Sequence, residues 1–97
     1  MTVKFNMNYF TIFINDIEIE LSQEHYSLLH FISQSKRIVS KEELKQVLKD
    51  KWRSDDCLKT AICTINGIIK QHIGKKIIYN KRGIGYYVKK SLVVQES

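Results

Sequence analysis

Acidic residues are missing from a long stretch of this 97-residue chain: residues 57–90 contain no Asp and no Glu, but eight Lys or Arg. Residues 1–35, in contrast, carry one base and four acids. The net charge of +6 is therefore concentrated in the C-terminal half. A basic surface opposite an acidic end predicts a polyanionic partner that approaches from one side. A protein that is merely rich in lysine is the alternative, and the length of the acid-free stretch disfavours it.

Proline is also absent, and cysteine occurs only at Cys57 and Cys63. These positions lie six residues apart on one predicted helix, which suits neither a zinc site nor a disulfide, so free thiols in a reducing cytoplasm are expected. The chain has no run of 18 apolar residues and no secretory signal pattern, which predicts a soluble protein that is not exported. Three scattered histidines do not predict a metal site, and no cofactor is expected.

The N-terminal residues predict a small sheet. From Phe5 the chain alternates or runs apolar, most clearly at residues 9–14, and after a break at Asn15 and Asp16 an alternating segment follows at 17–21. This pattern indicates two antiparallel strands joined by a turn at Asn15 and Asp16. With 43% hydrophobic and 27% charged residues, the composition is that of a globular protein, and the whole chain is expected to form one domain.

Three helices are predicted next. Ser22 can cap the first, whose inward positions are Tyr26, Leu28, Leu29 and Ile32. Ser40 and Glu43 form a capping box that opens the second, because each side chain can accept the other residue's backbone amide. The lysines expected on its outer side are Lys41, Lys45 and Lys49. Asp55 or Asp56 can cap the third helix.

The third helix has the clearest apolar period. Its inward positions are Leu58, Ala61, Ile62, Ile65, Ile68, Ile69 and His72. The opposite face comprises Lys59, Thr60, Cys63, Gly67 and Lys70, with Thr64, Asn66 and Gln71 on the flanks. Solvated helix faces usually mix both charge signs, so a cationic face without a carboxylate favours contact with a polyanion.

Residues 78–88 follow this helix and join two apolar, aromatic stretches through a tip of two cations and two glycines. Such a pattern predicts a β-hairpin with a charged end. A helix followed by a cationic hairpin can fill a major groove and reach the adjacent minor groove, which makes a nucleic-acid-binding module the first hypothesis.

This order of elements resembles the winged helix-turn-helix effector domain of OmpR/PhoB-type transcription regulators, over nearly the whole chain. The most specific match is the wing: residues 78–83 with Gly85 and Tyr86 are similar to the family's Ile-x-Thr-Val-Arg-Gly-x-Gly-Tyr, with Asn80 in place of Thr. The helix matches, in chain order, are Leu21-Ser22, Leu28-Leu29-His30-Phe31 and Val39-Ser40-Lys41-Glu42-Glu43-Leu44.

The resemblance implies an α+β fold with an N-terminal antiparallel sheet, three helices and a C-terminal β-hairpin wing. The expected parts are the sheet at 1–21, the helical core at 22–73 and the wing at 75–90. It also implies sequence-directed binding of double-stranded DNA in bacterial transcription, with the third helix in the major groove and the wing in the minor groove. The candidate DNA-contacting residues are Lys41, Lys45, Lys59, Thr60, Cys63, Thr64, Asn66, Gly67, Lys70, Asn80, Lys81 and Arg82.

Some positions depart from the family pattern. The family's Leu-Arg-x-Lys segment is residues 65–68 here and lacks arginine, although Asn66 can pair with adenine and Thr64 can touch a thymine methyl or a phosphate. Gly67 costs about 1 kcal/mol relative to Ala in a helix, which indicates a close approach there of DNA or of another helix. His25 stands where the family usually has Glu. The sequence contains no receiver domain, as in membrane-tethered relatives of the ToxR type.

A protein-interaction winged helix, which pairs with a separate DNA-binding regulator, is the alternative that the missing arginines favour. An enzyme is not expected, because no nucleophile–base pair, metal set or phosphate loop can be assembled. In the family the loop before the third helix contacts RNA polymerase. In this chain the corresponding loop would be residues 51–56, which include Trp52. The competing interpretation is that Trp52 covers the hydrophobic core. A dimer or regulator partner is also expected, since so few cationic contacts predict weak binding by one copy.

Overall fold

The computed structural model of the chain describes residues 1–47, 54–89 and 91–96. Its elements are β1 (Thr2–Asn6), β2 (Thr11–Ile14), β3 (Ile17–Glu20), α1 (Gln23–Ser35), β4 (Val39–Ser40), α2 (Lys41–Val47), α3 (Asp55–Ile73), β5 (Tyr79–Lys81), β6 (Gly85–Tyr87) and β7 (Val93–Glu96). The strands form two sheets, in the orders β3-β2-β1-β7 and β4-β6-β5. Residues from both sheets and from all three helices meet in one buried apolar cluster.

The N-terminal sheet contains the predicted hairpin. Asn15 and Asp16 form the β2–β3 turn with φ values of 52° and 67°, because short hairpin turns favour residues that tolerate positive φ. The sequence did not reveal that Tyr9 and Phe10 belong to a turn before β2, with Phe10 at φ 53°. Nor did it reveal β7, which pairs in parallel with β1.

Side-chain caps begin the first two helices, as predicted. Ser22 Oγ accepts a hydrogen bond from the His25 amide at 3.2 Å. Ser40 Oγ accepts from the Glu43 amide at 3.2 Å, and the Glu43 carboxylate accepts from the Ser40 amide at 3.0 Å. Arg37 donates two further hydrogen bonds to this carboxylate, at 2.8 and 3.1 Å. Chiefly because of Arg37, the pKa of Glu43 is lowered to about 2.

The third helix begins differently from the prediction. Ser54, not Asp55 or Asp56, is its cap: Ser54 Oγ accepts a hydrogen bond from the Cys57 amide at 3.1 Å. The two aspartates lie in the first turn, where the helix dipole favours negative charge. The buried positions are Leu58, Ala61, Ile62, Ile65 and Ile69, all predicted. His72 was also predicted to face inward, but it is exposed, and its ring Nδ1 lies 2.9 Å from the carbonyl oxygen of Ile68 on its own helix.

The wing is attached to the helical core through a close strand contact. β5 and β6 pair antiparallel, and β4 adds a third strand through the pairs Val39–Tyr86 and Ser40–Gly85. A Cβ on Gly85 would lie 1.9 Å from the Val39 carbonyl oxygen, so only glycine fits. The architecture is the predicted winged helix-turn-helix, to which the separate first strand β1 and the strands β4 and β7 are additions.

Two further predictions concern the chain as a whole. Across residues 1–47, 54–89 and 91–96, no helix is long and apolar enough to cross a membrane. Cys57 and Cys63 are both free thiols. Lys49 and Trp52, for which the sequence predicts an outward position and a loop position, lie outside the described residues.

Candidate nucleic-acid interface

One face of α3 is open to solvent and carries no acid beyond the first turn. All the residues predicted for this face are exposed: Lys59, Thr60, Cys63, Gly67 and Lys70. Thr64 on the flank is also exposed. A Cβ built on Gly67 meets no heavy atom within 4 Å, so packing within the described part of the protein does not require glycine there. The open space at Gly67 would let the backbone of a partner approach the helix closely.

The two threonines of this face are oriented by the helix itself. Thr60 Oγ1 donates to the carbonyl oxygen of Asp56, and Thr64 Oγ1 donates to that of Thr60, each at 2.9 Å. Because each hydroxyl proton is already used, the side chains offer a methyl group and an acceptor oxygen. This arrangement suits the predicted thymine methyl contact of Thr64 better than a hydrogen bond to phosphate, which is itself only an acceptor.

Asn66 has a role that the sequence did not predict. Its Nδ2 donates to the carbonyl oxygen of Ile78 at 2.9 Å, and its Oδ1 accepts from the amides of Ile77 and Ile78 at 3.3 and 3.1 Å. Both ends of the side-chain amide are therefore occupied by the segment that leads into β5. Bidentate pairing with adenine needs those same atoms free. The predicted adenine contact is thus replaced by a structural role, in which Asn66 fixes the base of the wing to α3.

The cations at the tip of the wing lie in and beside the exposed turn between β5 and β6. The Ile84 amide donates to the Lys81 carbonyl oxygen at 2.9 Å, and Gly83 adopts φ 79°, a turn conformation that favours glycine. Arg82, Lys81 and Asn80 are all exposed, and their side chains make no hydrogen bond or ion pair with the rest of the described structure. Ile84 is 53% exposed beside them, an apolar tip residue that the sequence reasoning overlooked.

The lysines of α2 are less available than the sequence indicated. Lys45 Nζ donates to Asp55 at 2.7 Å and lies 3.4 Å from Glu42, with 20% of its side chain exposed. The hydrogen bond raises the pKa of Lys45 and lowers that of Asp55. The ammonium of Lys45 is thus already paired with carboxylates in an ion pair between α2 and α3, which competes with the phosphate contact predicted for it. Lys41 is half-buried and has no ion pair among the described residues.

Known proteins that are similar to this chain include response regulators. No family model matches the chain. ArlR of Staphylococcus aureus, a response regulator, is 26% identical over 92 residues, which cover 90% of this chain and 41% of ArlR. The DNA-binding domain of the response regulator AdeR, in complex with an intercistronic region, has a TM-score of 0.80 at 14% identity, over 90% of this chain and 93% of that domain. The C-terminal domain of the nisin resistance regulator NsrR has a TM-score of 0.76 at 24% identity and covers 92% of both chains.

The chain is homologous to the DNA-binding domains of response regulators. Its fold is the winged helix that the resemblance implied. The chain spans 41% of the length of ArlR, so the similarity covers one part of a response regulator and does not extend to the whole protein.

Within this winged helix, the candidate residues fall into two groups. The α3 face and the wing are joined directly, through the hydrogen bonds of Asn66. Lys41 and Lys45 belong to α2, which contacts the start of α3 instead. Of the loop at 51–56, the structure describes residues 54–56 only, and the predicted polymerase contact of Trp52 falls outside them. The sequence signal for Asn66 was its position on the flank, at the border of the apolar face.

Proposed function

We propose that this winged helix binds duplex DNA as the effector domain of a bacterial transcription regulator, with α3 in the major groove and the wing tip in the minor groove. The observation that carries the proposal is the clamp by Asn66, which joins an exposed, cationic helix face to the base of the wing, whose Arg82 has no ion pair within the described residues. A major groove about 12 Å wide accepts a helix, and a narrow minor groove attracts a guanidinium. The DNA-bound AdeR domain supports the same use of the fold here.

Base reading by α3 is proposed to be limited. Lys59 and Lys70 are exposed cations suited to phosphates, and Thr60, Cys63 and Thr64 offer small groups to base edges. The segment contains no arginine for guanine, and Asn66 is occupied. Discrimination should therefore depend on phosphate contacts and on the shape of the minor groove, and the preferred sites should be A·T-rich.

The test is fluorescence anisotropy with A·T-rich and G·C-rich duplexes at 50 and 200 mM salt. We expect dissociation constants of about 10⁻⁴–10⁻⁶ M for arbitrary sequence near physiological salt, a steep loss of affinity with salt, and tighter binding to the A·T-rich duplex. Absence of binding even at low salt would refute DNA binding. A nanomolar preference for a guanine-rich site would contradict the limited base reading.

A second candidate function is a protein-interaction winged helix that acts beside a DNA-binding regulator. Two observations favour it: the neutralised Lys45 and the engaged Asn66 leave fewer groups for DNA than the sequence suggests. Under either function, pairing with a second copy or with another regulator would raise the effective concentration of this domain at a neighbouring DNA site. The resulting gain in avidity is about 10²–10⁴-fold. A contact with RNA polymerase near residues 51–56 and a cytoplasmic location belong to the proposal as well.

A further inference from the structure

A separate cationic pocket lies at the base of the wing. Its volume is about 140 Å³ and its polar lining consists of Lys75, Lys76, Tyr79, Lys89 and Ser91. None of the described residues that line it is an Asp or a Glu. None of the residues that line it is Asn80, Lys81 or Arg82, so the pocket is distinct from the wing tip that is proposed to enter the minor groove.

Tyr79 arranges the charges of this pocket. The Nζ atoms of Lys76 and Lys89 each lie 5.3 Å from the centroid of the Tyr79 ring. The ring is itself supported by Tyr87, whose centroid is 5.7 Å away in a stacked arrangement. Cation–π attraction can hold an ammonium group at this distance, although two like charges around one ring repel each other. An anion between them would relieve that repulsion.

The cations lack competing partners in the described structure. Lys75, Lys76 and Lys89 take part in none of its four ion pairs, which involve Glu96, Glu43, Glu42 and Asp55. All three lysines are exposed, so a ligand can reach them from solvent. Among the described residues, the lining of the pocket therefore contains three lysines and no carboxylate to pair with them.

We propose that this pocket binds a phosphate-class oxyanion. A cavity volume of about 140 Å³ has room for a small oxyanion such as phosphate and lies below the roughly 300 Å³ or more of typical pockets for drug-sized ligands. Ammonium groups from Lys75, Lys76 and Lys89 surround the anion, and the Ser91 hydroxyl can donate to it.

Two sources can supply this chemistry: free phosphate, or a phosphodiester of a nucleic-acid strand that passes the base of the wing. The test begins with inorganic phosphate, titrated at constant ionic strength into isotopically labelled protein while NMR follows the backbone amides. We expect saturable shifts confined to residues near Lys76, Tyr79 and Lys89. In a Lys76→Gln/Lys89→Gln double variant, the dissociation constant should rise roughly tenfold or more.

Lys4→Gln is the matched control, because Lys4 is an exposed lysine of β1 outside this pocket. Its phosphate titration should equal that of the wild type, and the amide spectra show directly that both variants are folded. Equal shifts in all three proteins, or shifts spread over every lysine, would overturn the proposal. Concentration-dependent shifts without phosphate that involve the acidic strand β3 would overturn it too, because the occupant would then be a second copy.

Repeating the titration with saturating duplex DNA identifies the source. Loss of the phosphate shifts would assign the pocket to a phosphodiester backbone, whereas unchanged shifts would assign it to free phosphate. Since the first titration contains no DNA, its result does not depend on whether the domain binds duplexes.

Discussion

The basic residues of α2 and those of the α3–wing unit are used in different ways. Around α2, Lys45 is paired with Asp55 and Glu42, and Arg37 is paired with Glu43. On α3 and the wing, the described cations are exposed and have no carboxylate partner. Both regions look basic in the sequence, but carboxylates pair with two of the cations around α2 and with none of the described lysines and arginines of α3 and the wing. The number of available charges, rather than the number of basic residues, therefore locates the candidate interface.

The reason for this difference is the distribution of acids along the chain. Residues 36–56 mix seven bases with five acids, so a base finds a partner within a turn or on the next element. Residues 57–90 contain no acid, so their bases have none nearby in the sequence. Unneutralised cations repel one another, and a polyanion that binds them removes this cost.

The largest effect is expected from the residue that joins the helix to the wing. Asn66→Ala leaves two amides and a carbonyl oxygen without their partner, so the free energy of unfolding should fall by about 2–3 kcal/mol. Gln71→Ala, an exposed amide on the same helix, is the control and should change it by about 0.5 kcal/mol or less. Urea unfolding measures both. Similar effects of the two variants would mean that the clamp does not stabilise the unit.

The comparison between the two regions is tested most directly by removing one charge from each. Arg82→Ala should weaken duplex binding by about 1–3 kcal/mol with almost no change in stability, because the exposed guanidinium has no partner within the described protein. Lys45→Ala removes the same formal charge but one that is already neutralised, so its affinity for DNA should stay within a few-fold of the wild type. Anisotropy at one moderate salt concentration compares them. If the two variants lose equal affinity, the distinction between paired and available charges is not valid.

The smallest effect concerns the open position on α3. Gly67→Ala adds a methyl group that meets no heavy atom within 4 Å, so the helix should gain up to about 1 kcal/mol of stability. If a DNA strand approaches the helix there, the same methyl group should lower the affinity for duplex. Thermal unfolding and anisotropy on one protein sample measure both quantities. A more stable variant with unchanged affinity would show that DNA does not contact Gly67.

The sequence by itself determined the elements that depend on near neighbours. The caps by Ser22 and by Ser40 with Glu43 were predictable, because the interacting groups lie three residues apart. The buried face of α3 follows from its apolar period, and the wing turn from a glycine that tolerates φ 79°. The exposed, acid-free face could be predicted for the same reason. The apolar face of an amphipathic helix packs on the core and its polar face is exposed to solvent, whichever elements form that core.

Only the tertiary structure decided the remaining features. Ser54 and two aspartates are adjacent residues with similar capping chemistry, and the path of the chain into α3 selects the serine. The Lys45–Asp55 pair and the hydrogen bonds of Asn66 to the wing join residues 10 to 12 apart on different elements. β7 is a short, mostly exposed strand that exists because β1, at the other end of the chain, offers an edge in register. Contacts between distant segments leave no periodic signal in either partner, so sequence patterns show which groups are present but not which of them are already engaged.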